Sequence, residues 1–352
     1  MTMRTAPPGT RHAQRGFTLV ELMIAMLLGL ILSAGVIQIF ISSKQSYRMQ
    51  DGLARMQENA RFSMDFLTRE IRMAGFTGCY NDGPGSIENI LNDQTNYGWN
   101  INNLLQGHEA TTSSSWSPAL DASLVGSVLA ETDVIAIRRM ASNGVKLTSP
   151  YSDSAQLFID PTNNIFSTGD ILMVTDCTQG SIFQVTNLQS AGGKIDVVHS
   201  SSGGYTPGNS GPHLGNSYGE DAEVASLQTT IFFIGQGASG EPSLFRRTLG
   251  TSGGSTATLS NEELIEGVEN MQILYGEDTD DDGSANKYVA ADSATMDNVV
   301  SIRLSLLMRT TEDNLASEPQ TYTYNGSTVT ATDKRIRRVF DTTVKLRNRG
   351  TK

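Results

Sequence analysis

Residues 15–30 read RGFTLVELMIAMLLGL, an apolar run that carries one carboxylate, Glu21, close to its start. From Leu22 to Ile41 no charge occurs, and Ser33 and Gln38 are the only clearly polar side chains. That length matches the roughly 20 residues a helix needs to cross a bilayer core. A carboxylate at membrane depth costs about 2.5–3.5 kcal/mol on insertion scales, so it implies a partner or a function. Arg4, Arg11 and Arg15 precede the run with no acid among them. Their charge keeps the N-terminus cytoplasmic and sends the following chain outward. A secretory signal has a shorter apolar core followed by a small-residue cleavage site, so a retained anchor fits better.

Beyond the anchor the helical pattern continues. Leu53, Met56, Ala60, Met64, Leu67 and Ile71 recur at three or four residues, with charged residues on the other faces. No proline separates Pro8 from Pro84, and Gly75 follows the last periodic position as a stop. One helix from Phe17 to Ala74 is predicted, about 87 Å long at 1.5 Å per residue. Residues 17–43 form its membrane or filament-core half and 44–75 its amphipathic extension.

After Phe76 the period changes to two. Segments at 133–139, 155–160, 170–176, 181–187, 194–200, 229–235, 243–249, 269–276, 300–309 and 339–347 read as short strands. In the last, Phe340, Thr342, Val344 and Leu346 share a face. Ser, Gly and Asn dominate 81–118, 200–220 and 250–260, which read as loops. A long helix followed by many antiparallel strands is an α+β architecture, with residues 76–352 as an extracytoplasmic β-rich head.

The 352 residues carry a net charge of −11, and removing the three leader arginines leaves −14. An acidic body argues against nucleic acid as a partner. The basic C-terminal residues, from Lys334 through Lys352, read as a strand with a solvated charged face that meets acidic neighbouring subunits. Cys79 and Cys177 are the only cysteines, both beyond the apolar run. In an oxidising compartment they read as one disulfide; two unpaired buried thiols are the alternative. Asp278, Asp280, Asp282 and Gly283 spell the DxDxDG opening of a calcium loop. Position twelve of an EF-hand falls at Val289, which has no ligand atom, so Asp292 or a backbone carbonyl is left to finish a Ca2+ shell; a solvated acidic turn is the alternative. His12, His108, His199 and His213 lack zinc spacing, and no phosphate loop, nucleophile elbow or CxxC occurs. An enzyme is not expected.

The order of basic leader, Gly16, Phe17, Thr18, Leu19, Val20, Glu21 and apolar run resembles the class III signal of type IV pilins and pseudopilins. That resemblance implies removal of residues 1–16 by a prepilin peptidase between Gly16 and Phe17, N-methylation of Phe17, and retention of the helix. The new amine four residues before Glu21 then supplies the missing partner, in the same chain or a neighbouring one. In the head, LTREIRMAGFTGC at 67–79, GDILMVTDCTQGSIFQVTN at 169–187, MQILYGEDTDDDG at 271–283, VSIRLSLLMRT and RRVFDTTVKLRNR resemble PilW-type minor pilins. The resemblance implies a precursor in the inner membrane with a periplasmic head, then a pilus subunit near the tip. Its implied partners are other minor pilins, the major pilin and a tip-associated adhesin. A J-type pseudopilin of type II secretion and an anchored extracytoplasmic binding protein are the alternatives. Major pilins usually carry a proline within the apolar segment, and this chain has none.

Overall fold

The structure is a computed structural model that describes residues 16–80, 87–112, 114–201, 203–252 and 254–349. The leader with Arg4, Arg11 and Arg15, and Lys352 at the other end, lie outside the described residues. Two compact units meet in sequence between Asp51 and Gly52. Helix α1, Leu19–Arg72, contributes to both.

In the first unit the helix exposes its large apolar side chains, among them Leu22, Leu27, Leu32, Ile37 and Phe40. Its 18-residue apolar window has a mean hydropathy of 2.5 and is 0% buried, so length and composition suit a membrane span. The helix starts two residues later than the apolar pattern predicts, because Thr18 caps it. It ends at Arg72, with Arg69 and Arg72 placed favourably at the negative end of the helix dipole.

In the second unit the strands follow in chain order: β1 Ile87–Asn89, β2 Leu105–Thr112, β3 Ser115–Ser117, β4 Val134–Met140, β5 Val145–Lys146, β6 Gln156–Ile159 and β7 Ile171–Thr175. Next come β8 Gly180–Gln184, β9 Asn187–Ala191, β10 Lys194–Val198, β11 Glu223–Gln236, β12 Pro242–Ser252, β13 Thr256–Glu266 and β14 Val268–Glu277. The series closes with β15 Lys287–Val289, β16 Val299–Arg309, β17 Thr321–Tyr324, β18 Ser327–Thr330 and β19 Arg337–Lys345. The large sheet runs β1-β8-β7-β11-β4-β2-β3, with β12 on β11 and β13 on β12. A second sheet has the order β15-β14-β16-β19, and β6-β10-β9 forms a third. Except for the parallel β1–β8 pair, the ladders are antiparallel, which bears out the α+β expectation. β17 and β18 turn at Asn325-Gly326, whose φ values of 46° and 72° suit a tight hairpin.

The predicted stripe of the helix's second half forms one side of the main core. Met56, Ala60, Leu67 and Ile71 are buried against Ile273, Leu304, Leu306 and Val344 of the four-stranded sheet. Leu53 and Met64 are partly covered by the same core. Ser63, a polar residue outside that stripe, is also fully buried; its hydroxyl donates to Asn59 O at 2.8 Å and so leaves no unpaired group.

Two segments read as loops contain strands. Residues 81–118 hold β1, β2 and β3, and 250–260 hold the end of β12 and the start of β13. Between 200 and 220 the described residues make only isolated bridges.

Candidate processing and assembly site

Gly16, Phe17 and Thr18 precede the helix in non-helical backbone. Phe17 is 88% exposed. In this chain, with residues 1–16 still attached, Phe17 lies two residues before the first helical residue, Leu19. Glu21 turns back on Thr18: its Oε2 accepts from Thr18 N–H and from Thr18 Oγ1, both at 2.9 Å. Glu21 N–H donates to Thr18 Oγ1 at 3.2 Å, which completes a reciprocal capping box. The T-x-x-E spacing at 18–21 carried that signal in the sequence, and the apolar run masked it. Among the described residues Glu21 Oε1 has no hydrogen-bond or ion-pair partner.

Below the helix end, Gly75 and Gly78 both take φ of +74°. A Cβ at Gly78 would lie 2.9 Å from the Thr175 methyl, so only glycine lets this segment approach β7. The next residue, Cys79, is bonded to Cys177 in the turn between β7 and β8. The two cysteines are exposed, unlike the buried thiols of the alternative reading. Their bond spans 98 residues and fastens the end of α1 to the β7–β8 hairpin.

The acidic loop follows β14. Asp278, Asp280 and Asp282 each offer a carboxylate oxygen, all within 4.8 Å of one another. Burial pushes the Asp278 carboxyl up, and the N–H groups of Gly283 (2.7 Å) and Asp280 (3.3 Å) more than offset this. Asp280 accepts from Asn286 Nδ2 at 3.1 Å and Asp282 from Ser284 N–H at 2.7 Å. The oxygen chemistry suits Ca2+, but three carboxylates do not fill its six to eight positions. Asp292 is not part of the group; it lies near Glu109, whose carboxyl is pushed up by burial and by that charge. Backbone carbonyls and water are left to complete the shell.

The basic C-terminal stretch is only partly solvated. Arg337 is buried and reaches Glu269 at 2.6 and 3.0 Å and Asp333 at 2.6 and 2.9 Å. Arg335 and Arg309 share Glu241, at 2.9 and 2.8 Å. These arginines therefore neutralise carboxylates of their own chain rather than those of a neighbour. Asp333 and Arg337 stand at i and i+4, a spacing that could have flagged the pair.

Elsewhere Arg138 is fully buried, its guanidinium held by Tyr97 O at 2.6 and 3.1 Å and by Asn103 O at 2.5 Å. Burial lowers it to about 10. His108 and His199 are buried and far apart in sequence. His108 bonds Tyr97 Oη and Pro118 O, each at 2.9 Å, while both ring nitrogens of His199 lack hydrogen-bond partners among the described residues. Neither arrangement is a nucleophile–base pair, because each imidazole contacts structural groups or core side chains.

Residues 11–37 match the prokaryotic N-terminal methylation motif. Residues 231–348, from the second half of β11 to just beyond β19, match the family described as Type IV Pilus-assembly protein W. No curated protein and no solved structure matches the chain. The motif implies processing by a prepilin peptidase and association with pilus components. Together the two matches support a PilW-type pilin with a prepilin signal, a structural pilus component rather than an enzyme.

Proposed function

We propose that the chain is a minor pilin incorporated at or near the tip of a type IV pilus, where it contributes to the initiation of assembly. The observation that carries this reading is the GFTLVE sequence at 16–21 leading into an exposed apolar helix, in a chain whose C-terminal region matches the pilus-assembly family. Cleavage after Gly16 frees a cationic amine on Phe17. Glu21, with Oε2 engaged by Thr18 and Oε1 without a partner among the described residues, receives that amine from a neighbouring subunit and fixes the axial register. Loss of one member of a buried ion pair costs about 3–5 kcal/mol, whereas the intact pair adds little net stability, so its effect is selective. The head faces the periplasm before assembly, and its contacts with other minor pilins, the major pilin and a tip-associated adhesin complete the docking.

Intact-mass analysis tests the first step. Protein from peptidase-competent cells is expected to lack residues 1–16 and to carry one added methyl, and protein from peptidase-deficient cells is expected to keep them. An uncut chain in both strains overturns the filament reading.

A further inference from the structure

β19 is the outer strand of the four-stranded sheet, with β16 as its ladder partner. Leu346 N–H donates to Val300 O at 2.9 Å, so in this regular register the even-numbered peptide groups face β16. The odd-numbered groups face outward. At one end Arg337 N–H is capped by Gln320 Oε1 at 2.7 Å, and at the other Arg347 N–H reaches Arg72 O at 3.1 Å. Between these closed ends, the outward peptide groups of Asp341, Thr343 and Lys345 join no ladder among the described residues.

A cavity of about 410 Å³ runs beside this opening, lined by residues 343–347 with Arg72 and Arg349. Arg349 donates to Met296 O and is engaged. Arg72, Lys345 and Arg347 are exposed and form no ion pair among the described residues, in contrast to Arg309, Arg335 and Arg337. Asp341 is exposed at the far end of the opening, and Asp297 lies near Arg349. A chain with a net charge of −11 thus gathers three unpaired cations beside an open strand edge.

We propose that the β19 edge is a docking site for an extended acidic segment of another protein subunit, added as a fifth strand. The outward N–H and C=O groups supply the ladder, as in other strand additions. Arg72, Lys345 and Arg347 receive the segment's carboxylates and select its charge. Charged side chains on a sheet edge also serve to prevent pairing, and such an edge binds no peptide.

The test uses the full-length chain in detergent micelles and four fluorescent probes: a Glu-Val repeat peptide, its Lys-Val counterpart, and two Glu-Val peptides N-methylated at alternate residues, one in each frame. Fluorescence anisotropy at low salt is expected to show saturable binding of the Glu-Val peptide. The Lys-Val peptide is expected to bind at least about tenfold more weakly, a factor equal to 1.4 kcal/mol. One of the two N-methylated frames is expected to lose binding, because its pairing edge has lost its donors. The Lys345→Glu/Arg347→Glu variant, with thermal unfolding as a check on its fold, is expected to reverse the charge preference. Absence of binding, equal binding of both charges, or full binding by both N-methylated frames overturns the proposal. Because the N-methylated arm acts on the ligand, it decides the matter even if the variant misfolds.

Discussion

Arg337 and Asp333 stand one helical-type repeat apart in sequence, yet they meet at the start of a β-strand through two hydrogen bonds of 2.6 and 2.9 Å. Glu269 of β14 grips the same guanidinium from the other side. Burial alone would lower Arg337; the two carboxylates more than reverse that and hold it charged. The cluster therefore joins β19 to β14 across the intervening β16. Arg337→Ala is expected to cost up to about 3 kcal/mol, because it removes the buried partner of two carboxylates and leaves Glu269 only Arg309 at 3.6 Å and Asp333 only Arg335 at 3.8 Å. Denaturant unfolding measures this, and a loss below about 1 kcal/mol would refute the coupling.

The same cluster sets a pH dependence. The hydrogen-bonded Arg337 holds the Asp333 carboxyl at about 2, below its ordinary 3.8. A depressed carboxyl contributes stability that is present above the unfolded pKa and is lost as pH falls from about 4 through 2. The expected loss is on the order of 2 kcal/mol. Asp333→Asn is expected to remove this part of the acid sensitivity, as followed by urea unfolding between pH 5 and 2.

His199 acts in a higher window. Fully buried beside Phe183 and Tyr151, with ring centroids 4.9 and 5.8 Å away, it is lowered by burial from 6.5 to about 4. The unfolded chain takes up this proton first, so stability falls as pH drops from about 6.5 to 4. His199→Phe is expected to flatten the melting temperature over that range. An unchanged slope would show that other groups set it.

Reduction of the Cys79–Cys177 bond releases a 98-residue loop. The chain-entropy model expects a loss of up to about 4–5 kcal/mol. Cys79→Ser/Cys177→Ser is expected to melt well below the parent under oxidising conditions and with the reduced parent in thiol. Coincident melting of all forms would contradict this.

Glu21→Gln separates the two roles of Glu21. Glutamine keeps the acceptor for Thr18 and hence the helix cap, but it has no charge for the Phe17 amine. The variant, like Glu21→Ala, is expected to be cleaved normally and to fail in filament incorporation. Incorporation of Glu21→Gln at the parental level would reduce the residue to a cap.

If the Asp278–Asp282 loop takes Ca2+, millimolar calcium raises the melting temperature of the full chain, and Asp280→Ala removes that increase. Magnesium at the same concentration is the control. Identical melting with and without calcium would leave the loop a turn held by its own N–H groups.

The sequence by itself determined the helix, its apolar half, its buried stripe and most of the strands of the head, because each follows from a local period of side chains. Tertiary structure decided the rest. β13 exposes most of its side chains and pairs with β12 alone, so no burial imposed alternation on TATLSNEELIE. β2, reading LQGHEATT, becomes a strand through its ladder to β4, and Gly107 within it yields space to the Tyr275 ring, since a Cβ there would meet the hydroxyl at 2.2 Å. The pairing of Cys79 with Cys177 and the enclosure of Arg337 depend on segments brought together from far apart in the chain. Local periodicity reports which face of an element is buried, whereas partners across the fold are chosen by packing and charge that no single segment contains.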